Sequence, residues 1–129
     1  MWDGWIKAAA ASPEIRVADC QYNAAQIQKT MQQAGERGAQ LLVLPELCLT
    51  GYTCQDLFLQ QSLIDQAKRA LSELAAFSHA CSVLTIVGLP MQWEGKVYNC
   101  AAVVYRGKLL GVVPKTHLPN YGEFYEVRH

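Results

Sequence analysis

The chain has no charge imbalance and no targeting signal, and it lacks most of the motifs by which an activity announces itself. Eleven Lys and Arg are matched by eleven Asp and Glu, for a formal net charge of zero over 129 residues. No basic cluster therefore offers a face to nucleic acid or to an anionic membrane, and neither is expected as a partner. The start, Met-Trp-Asp-Gly-Trp-Ile-Lys, lacks the basic head and long apolar centre of a secretory leader, and no run approaches the roughly eighteen apolar residues of a membrane span. Five cysteines, Cys20, Cys48, Cys54, Cys81 and Cys100, form an odd set without C-x-x-C spacing, which argues against a disulfide framework and a zinc site. A cytoplasmic location fits that usage. The three histidines, His79, His117 and His129, are scattered, and there is no G-x-S-x-G elbow, H-E-x-x-H pair or glycine-rich phosphate loop. None of the histidines is assigned a ligand role, and no metal is expected.

What is present is a hydrophobic content of 51% without repeats or low-complexity tracts, enough for one domain with a buried core. Gly4 to Ala11 and Ile15 to Cys20 are two short strand candidates broken at Ser12-Pro13, although the alanine-rich first segment also suits a helical turn. From Asn23, an N-cap type, Ala24, Ile27, Met31 and Ala34 recur at steps of three and four, predicting a helix that ends at Gly35 and Gly38. Leu41 to Leu44 is an apolar run too short for a helix, as expected of a strand covered on both faces. Ser62-Leu-Ile-Asp65 has the form of a capping box, and Leu63, Ala67, Leu71 and Leu74 predict a second helix to His79. Val83 to Gly88, Val97 to Tyr105 and Leu109 to Val113 read as strands, joined by turns at Glu94-Gly95 and Arg106-Gly107-Lys108. The order β-α-β-α-β-β-β predicts an α/β layered sheet with helices on one face and no internal domain boundary.

Two charged residues stand in strongly marked settings. Glu46 follows Leu-Leu-Val-Leu-Pro and precedes Leu-Cys-Leu-Thr-Gly-Tyr; Lys115 follows Gly-Val-Val-Pro. In each case a proline after an apolar run is expected to end regular pairing and turn the chain outward. A glutamate entering the neighbourhood of Leu47 and Leu49 is a candidate general base, since desolvation raises a carboxyl pKa. Most lysines beyond strand ends are simply solvated, yet the apolar flanks of Lys115 suggest a partly enclosed ammonium with Glu46 as counter-charge, able to face an oxyanion. Neither is a good nucleophile in its charged form, so the pair is expected to serve a third residue. Cys48 reads more simply as a buried small hydrophobe.

The segments Pro45-Glu-Leu-Cys-Leu-Thr-Gly-Tyr52, Tyr98 to Thr116 and Leu118-Pro-Asn-Tyr-Gly-Glu-Phe-Tyr-Glu126 resemble the nitrilase, or carbon-nitrogen hydrolase, superfamily. More narrowly, they resemble the N-terminal glutaminase domain of glutamine-dependent NAD synthetases, and the resemblance covers essentially the whole chain. It implies an α-β-β-α sandwich of the nitrilase type, of which residues 1–129 would form the first half. It also implies Glu46 as base, Lys115 as oxyanion-binding cation and Glu126 as the second glutamate supporting lysine and substrate. Tyr52 and Tyr121 would fall where the glutamine pocket is lined; for both, a packed aromatic with a bonded hydroxyl is an equally good reading.

The family's nucleophile is a cysteine several tens of residues after the lysine, and all five cysteines here precede Lys115. Cys54 is on the wrong side of the lysine. The resemblance therefore implies an N-terminal fragment, inactive alone. Its substrate would be glutamine, and its partner a C-terminal synthetase domain that lies outside the chain and uses ATP and Mg; no cofactor is expected in this segment. A homo-oligomer is expected as well. Two other readings stay open: a carbon-nitrogen hydrolase acting on a different amide, nitrile or carbamoyl compound, and a catalytically silent interaction module.

Overall fold

The computed structural model describes residues 4–51 and 61–118, and among these a five-stranded mixed sheet carries two α-helices on one face. The elements are β1 (Ala8–Ala10), α1 (Cys20–Glu36), β2 (Leu41–Val43), α2 (Gln61–Phe77), β3 (Leu84–Trp93), β4 (Lys96–Tyr105) and β5 (Lys108–Leu118). The strands lie in the sheet in chain order, β1 to β3 parallel and β3 to β5 antiparallel. Parallel neighbours need crossovers, and two successive right-handed crossovers that advance the sheet in one direction put α1 and α2 on the same side. Ile27 and Met31 of α1, Ala67 and Leu74 of α2, and Leu42, Val87, Leu89, Ala102 and Val104 of the strands are fully buried between the layers. This is one α layer on one β layer, half of an α-β-β-α sandwich.

Sequence periodicity located both helices and all the long strands, and the differences have local causes. Ile15 to Cys20 is not a strand: the chain turns at Val17-Ala18, with Ala18 at a φ of 63°, and α1 begins at Cys20. The N-cap is Asp19, whose side chain accepts from the Tyr22 N–H, and not Asn23, the fourth residue of the helix, which is buried and hydrogen-bonds to the loops. Ser62 likewise lies inside α2, and Asp65 accepts from the Gln61 side chain instead of closing a capping box. Leu42 is buried, but Val43 on the other face is 40% exposed, so β2 is covered by helices on one side only among the described residues.

The two hairpins are tight. Glu94-Gly95 and Arg106-Gly107 are two-residue connections with positive φ at both positions, the mirror-image turn whose twist matches that of the strands. Pro114 does not end β5, which runs on to Leu118. Among the described residues β5 is the last strand of the sheet, a position where a proline need not break a ladder on its outer side.

Candidate functional site

Beyond Val43 the chain leaves β2 and crosses the face of β3. Leu44 N–H donates to Ile86 O at 3.1 Å, and Leu49 N–H to Gly88 O at 3.1 Å. Between them residues 46–50 form a closed turn in which Thr50 and Gly51 N–H both donate to Leu47 O. Leu47, Cys48 and Leu49 are fully buried, which leaves Glu46 as the half-buried residue at the edge of the turn. The crossing is close enough to require glycine beneath it. A Cβ at Gly88 would stand 2.5 Å from Leu47 N and 2.6 Å from Pro45 O, distances no real side chain tolerates. Gly88 was read in the sequence only as the end of a strand; glycine inside a strand pattern is the signal of a close backbone approach that would have marked it.

Lys115 is delivered by an irregularity in β5. Cys100 pairs with Pro114 and Asn99 with Thr116, so Lys115 is the extra residue of a β-bulge. An extra residue shifts the alternation of side chains and re-aims the one it carries. Here Lys115 Nζ donates to Glu46 Oε1 at 2.9 Å, joining residues 69 apart in the sequence. The side chains remain 44% and 30% exposed, so the enclosure expected around the ammonium is not supplied by the described residues. An exposed pair of this kind contributes at most about 1 kcal/mol to stability.

Cys48 lies two residues from the glutamate and is fully buried. Burial pushes its thiol up to about 11, against the smaller lowering effect of its contact with Gly88 O. Cys100 is raised to about 11 by burial as well. The four described cysteines are all free thiols. Among the described residues no group of three His, Cys, Asp or Glu is placed to hold a metal ion, and no helix is long and apolar enough to cross a membrane. An apolar cavity of about 380 Å³ lies among Met91, Trp93, Tyr98, Cys100, Val112 and Pro114. Neither Glu46 nor Lys115 lines it. Of the residues expected to act, Tyr52, Tyr121 and Glu126, with Cys54, lie outside the described residues.

Residues 7–129 match the carbon-nitrogen hydrolase family profile. The glutamine-dependent NAD(+) synthetase of Mycobacterium tuberculosis is 40% identical over 125 residues, 97% of this chain and 18% of that protein. The crystal structure of a glutamine-dependent NAD(+) synthetase from Cytophaga hutchinsonii superposes with a TM-score of 0.80 at 33% identity, covering 89% of this chain and 20% of that one. An amidase of the nitrilase superfamily from Nesterenkonia AN1 superposes with a TM-score of 0.77 at 25% identity, covering 96% and 49%. In another structure of that amidase, acrylamide has undergone Michael addition at the active site cysteine. The chain thus spans about a fifth of the synthetases and about half of the amidase.

Proposed function

The chain belongs to the carbon-nitrogen hydrolase family, and from that premise we propose that it is the N-terminal part of a glutaminase domain that releases ammonia from glutamine inside a longer NAD synthetase. The observation that carries this reading is the Lys115–Glu46 contact of 2.9 Å, built by a turn and a bulge in a chain that is 40% identical to such a synthetase. On this reading the nucleophile is a cysteine that follows the lysine, as the resemblance to the family implies, and the five cysteines of residues 1–129 precede Lys115.

In that site Glu46 takes the proton of the cysteine thiol, and the thiolate attacks the carboxamide carbon of glutamine. The carbonyl oxygen becomes an oxyanion, which the Lys115 ammonium faces. Collapse breaks the carbon–nitrogen bond, with the proton held on Glu46 passing to the leaving nitrogen as ammonia departs. Glu46 then accepts a proton from water as it attacks the thioester, and glutamate and free thiol are restored. Tyr52 and Tyr121 line the glutamine pocket, and Glu126 supports the lysine. The amidation of deamido-NAD, with ATP and Mg, belongs to a synthetase domain elsewhere in the longer protein; these residues contain no phosphate loop to hold a nucleotide. The whole is a cytoplasmic homo-oligomer.

The test is the full-length enzyme with Glu46→Gln, which keeps the shape of the turn and removes the base. Glutamine-driven NAD formation should fall by roughly two to four orders of magnitude while ammonia-driven formation survives. Equal loss with both nitrogen sources would make Glu46 a structural residue. A full-length wild type that hydrolyses a different amide and ignores glutamine would move this chain to the amidases, and one without hydrolase activity would make it an interaction module.

A further inference from the structure

We propose that Asn23 is a positioning residue of this site: its side-chain amide locks the strained turn that carries Glu46 onto the loop entering α1. The proposal rests on the reading of Glu46 as the base. Asn23 is wholly buried, and every polar group of its amide that the contact uses points at backbone. Its Oδ1 accepts from Arg16 N–H at 2.7 Å, and its Nδ2 donates to Arg16 O at 2.8 Å and to Leu49 O at 3.0 Å. One acceptor and both donor hydrogens are thus engaged, two on the loop before α1 and one on the glutamate turn. Asparagine is a poor helix former, and with Asp19 serving as the cap, α1 itself gains nothing from it.

Both turns that Asn23 joins are strained. Ala18 has a φ of 63° and Leu47 a φ of 52°, conformations that residues with a side chain adopt at a cost and keep only where their surroundings hold them. The surroundings here are mutual. Ala18 N–H donates to Thr50 O at 2.7 Å, and the Cα of Val17 lies 3.1 Å from where a Cβ on Gly51 would be. The backbone of Leu49 is consequently held from both sides, its N–H by Gly88 O on the sheet and its C=O by Asn23 on the helix. Glu46 stands three residues before it on the same closed turn. Without the Asn23 donor, the buried Leu49 carbonyl loses its partner and the turn loses its tie to α1, so that the carboxylate no longer meets Lys115 and the substrate at one fixed place.

Asn23→Asp in the full-length enzyme is the direct test, because it keeps the shape and the Arg16 N–H contact while setting an oxygen against the Leu49 and Arg16 carbonyls. Tyr22→Phe, which removes only the exposed hydroxyl bond to Glu14, is the control. Asn23→Ser, smaller and uncharged, serves if the aspartate does not fold. We expect amide exchange across residues 44–51 to speed up by roughly tenfold or more while residues 99–105 keep their protection. The kcat for glutamine should fall by up to about a hundredfold, with ammonia-driven synthesis and the control unchanged. Unchanged exchange at 44–51, or a uniform rise across the protein with kcat intact, would overturn the proposal. A wild type that does not hydrolyse glutamine would sink the glutaminase reading alone, and the exchange result would still decide whether Asn23 holds the turn.

Discussion

At the scale of single residues, the role proposed for the Glu46–Lys115 pair separates stability from function. Half-exposed charges are screened and held at an entropic cost, so deleting one should scarcely change the melting point. Lys115→Met in the full-length enzyme should lower glutamine hydrolysis by roughly two to three orders of magnitude and shift the thermal midpoint by only a degree or two, as steady-state rates and calorimetry would record. A melting point that falls in step with activity would assign the lysine to the fold. The opposite case is Cys48, a buried thiol beside the site. Its folded pKa is raised from 9.0 to about 11, so its contribution is complete below pH 9 and is lost as pH rises toward 11, because the unfolded chain ionises first. The sign is a fall in stability with rising pH, on the order of 2–3 kcal/mol. Denaturant titrations from pH 8 to 11 should show that fall in the wild type and a shallower one in Cys48→Ala, whereas equal slopes would show that the thiol titrates alike in both states.

At the scale of elements, the site depends on two departures from regular structure that meet over β3. The turn after β2 can cross β3 because Gly88 has no side chain there, and β5 can aim Lys115 because it carries a bulge between its contacts with Asn99 and Cys100. Gly88→Ala must push the turn away, since its Cβ would meet backbone atoms that cannot rotate aside. Overpacking of this kind costs about 1–3 kcal/mol, and in the full-length enzyme the loss of the proposed glutaminase activity should exceed what that destabilisation explains. Measuring the rate well below the melting transition separates the two effects; full activity in Gly88→Ala would mean that the turn reaches its working position by another path.

At the scale of the molecule, helices cover one face of the sheet, and among the described residues the other face is largely apolar. Val43, Ile86 and Val103 are register partners across three strands, with Leu41 beside Leu84 and Ala101 beside Val113. Val43 is 40% and Val113 58% exposed, in a continuous surface of the kind that recruits another layer. The 129-residue chain by itself should therefore self-associate at micromolar concentration, and Val43→Lys with Val113→Lys should reduce that association without loss of helix content. Light scattering during size-exclusion chromatography reads the outcome. A wild-type monomer near 14.3 kDa with a sharp melt would contradict it and favour a stand-alone module.

Periodicity alone determined that residues near 24–34 and 63–74 are helices with one buried face and that the runs around Leu42, Val87, Val104 and Val112 are strands. Apolar spacing records local geometry directly, and the two-residue turns at Glu94-Gly95 and Arg106-Gly107 declare themselves by composition. The candidate pair Glu46 and Lys115 was legible too, because each stands alone after an apolar run and a proline. Only the tertiary structure decided that Asp19 and not Asn23 caps α1, that Asn23 ties two loops together, that Pro114 lies inside a strand, and that Lys115 is the extra residue of a bulge. The ties from Asn23 to Leu49 and from Lys115 to Glu46 depend on which polar groups meet once the layers have packed, and they join residues 26 and 69 positions apart. No local pattern in the chain carries them.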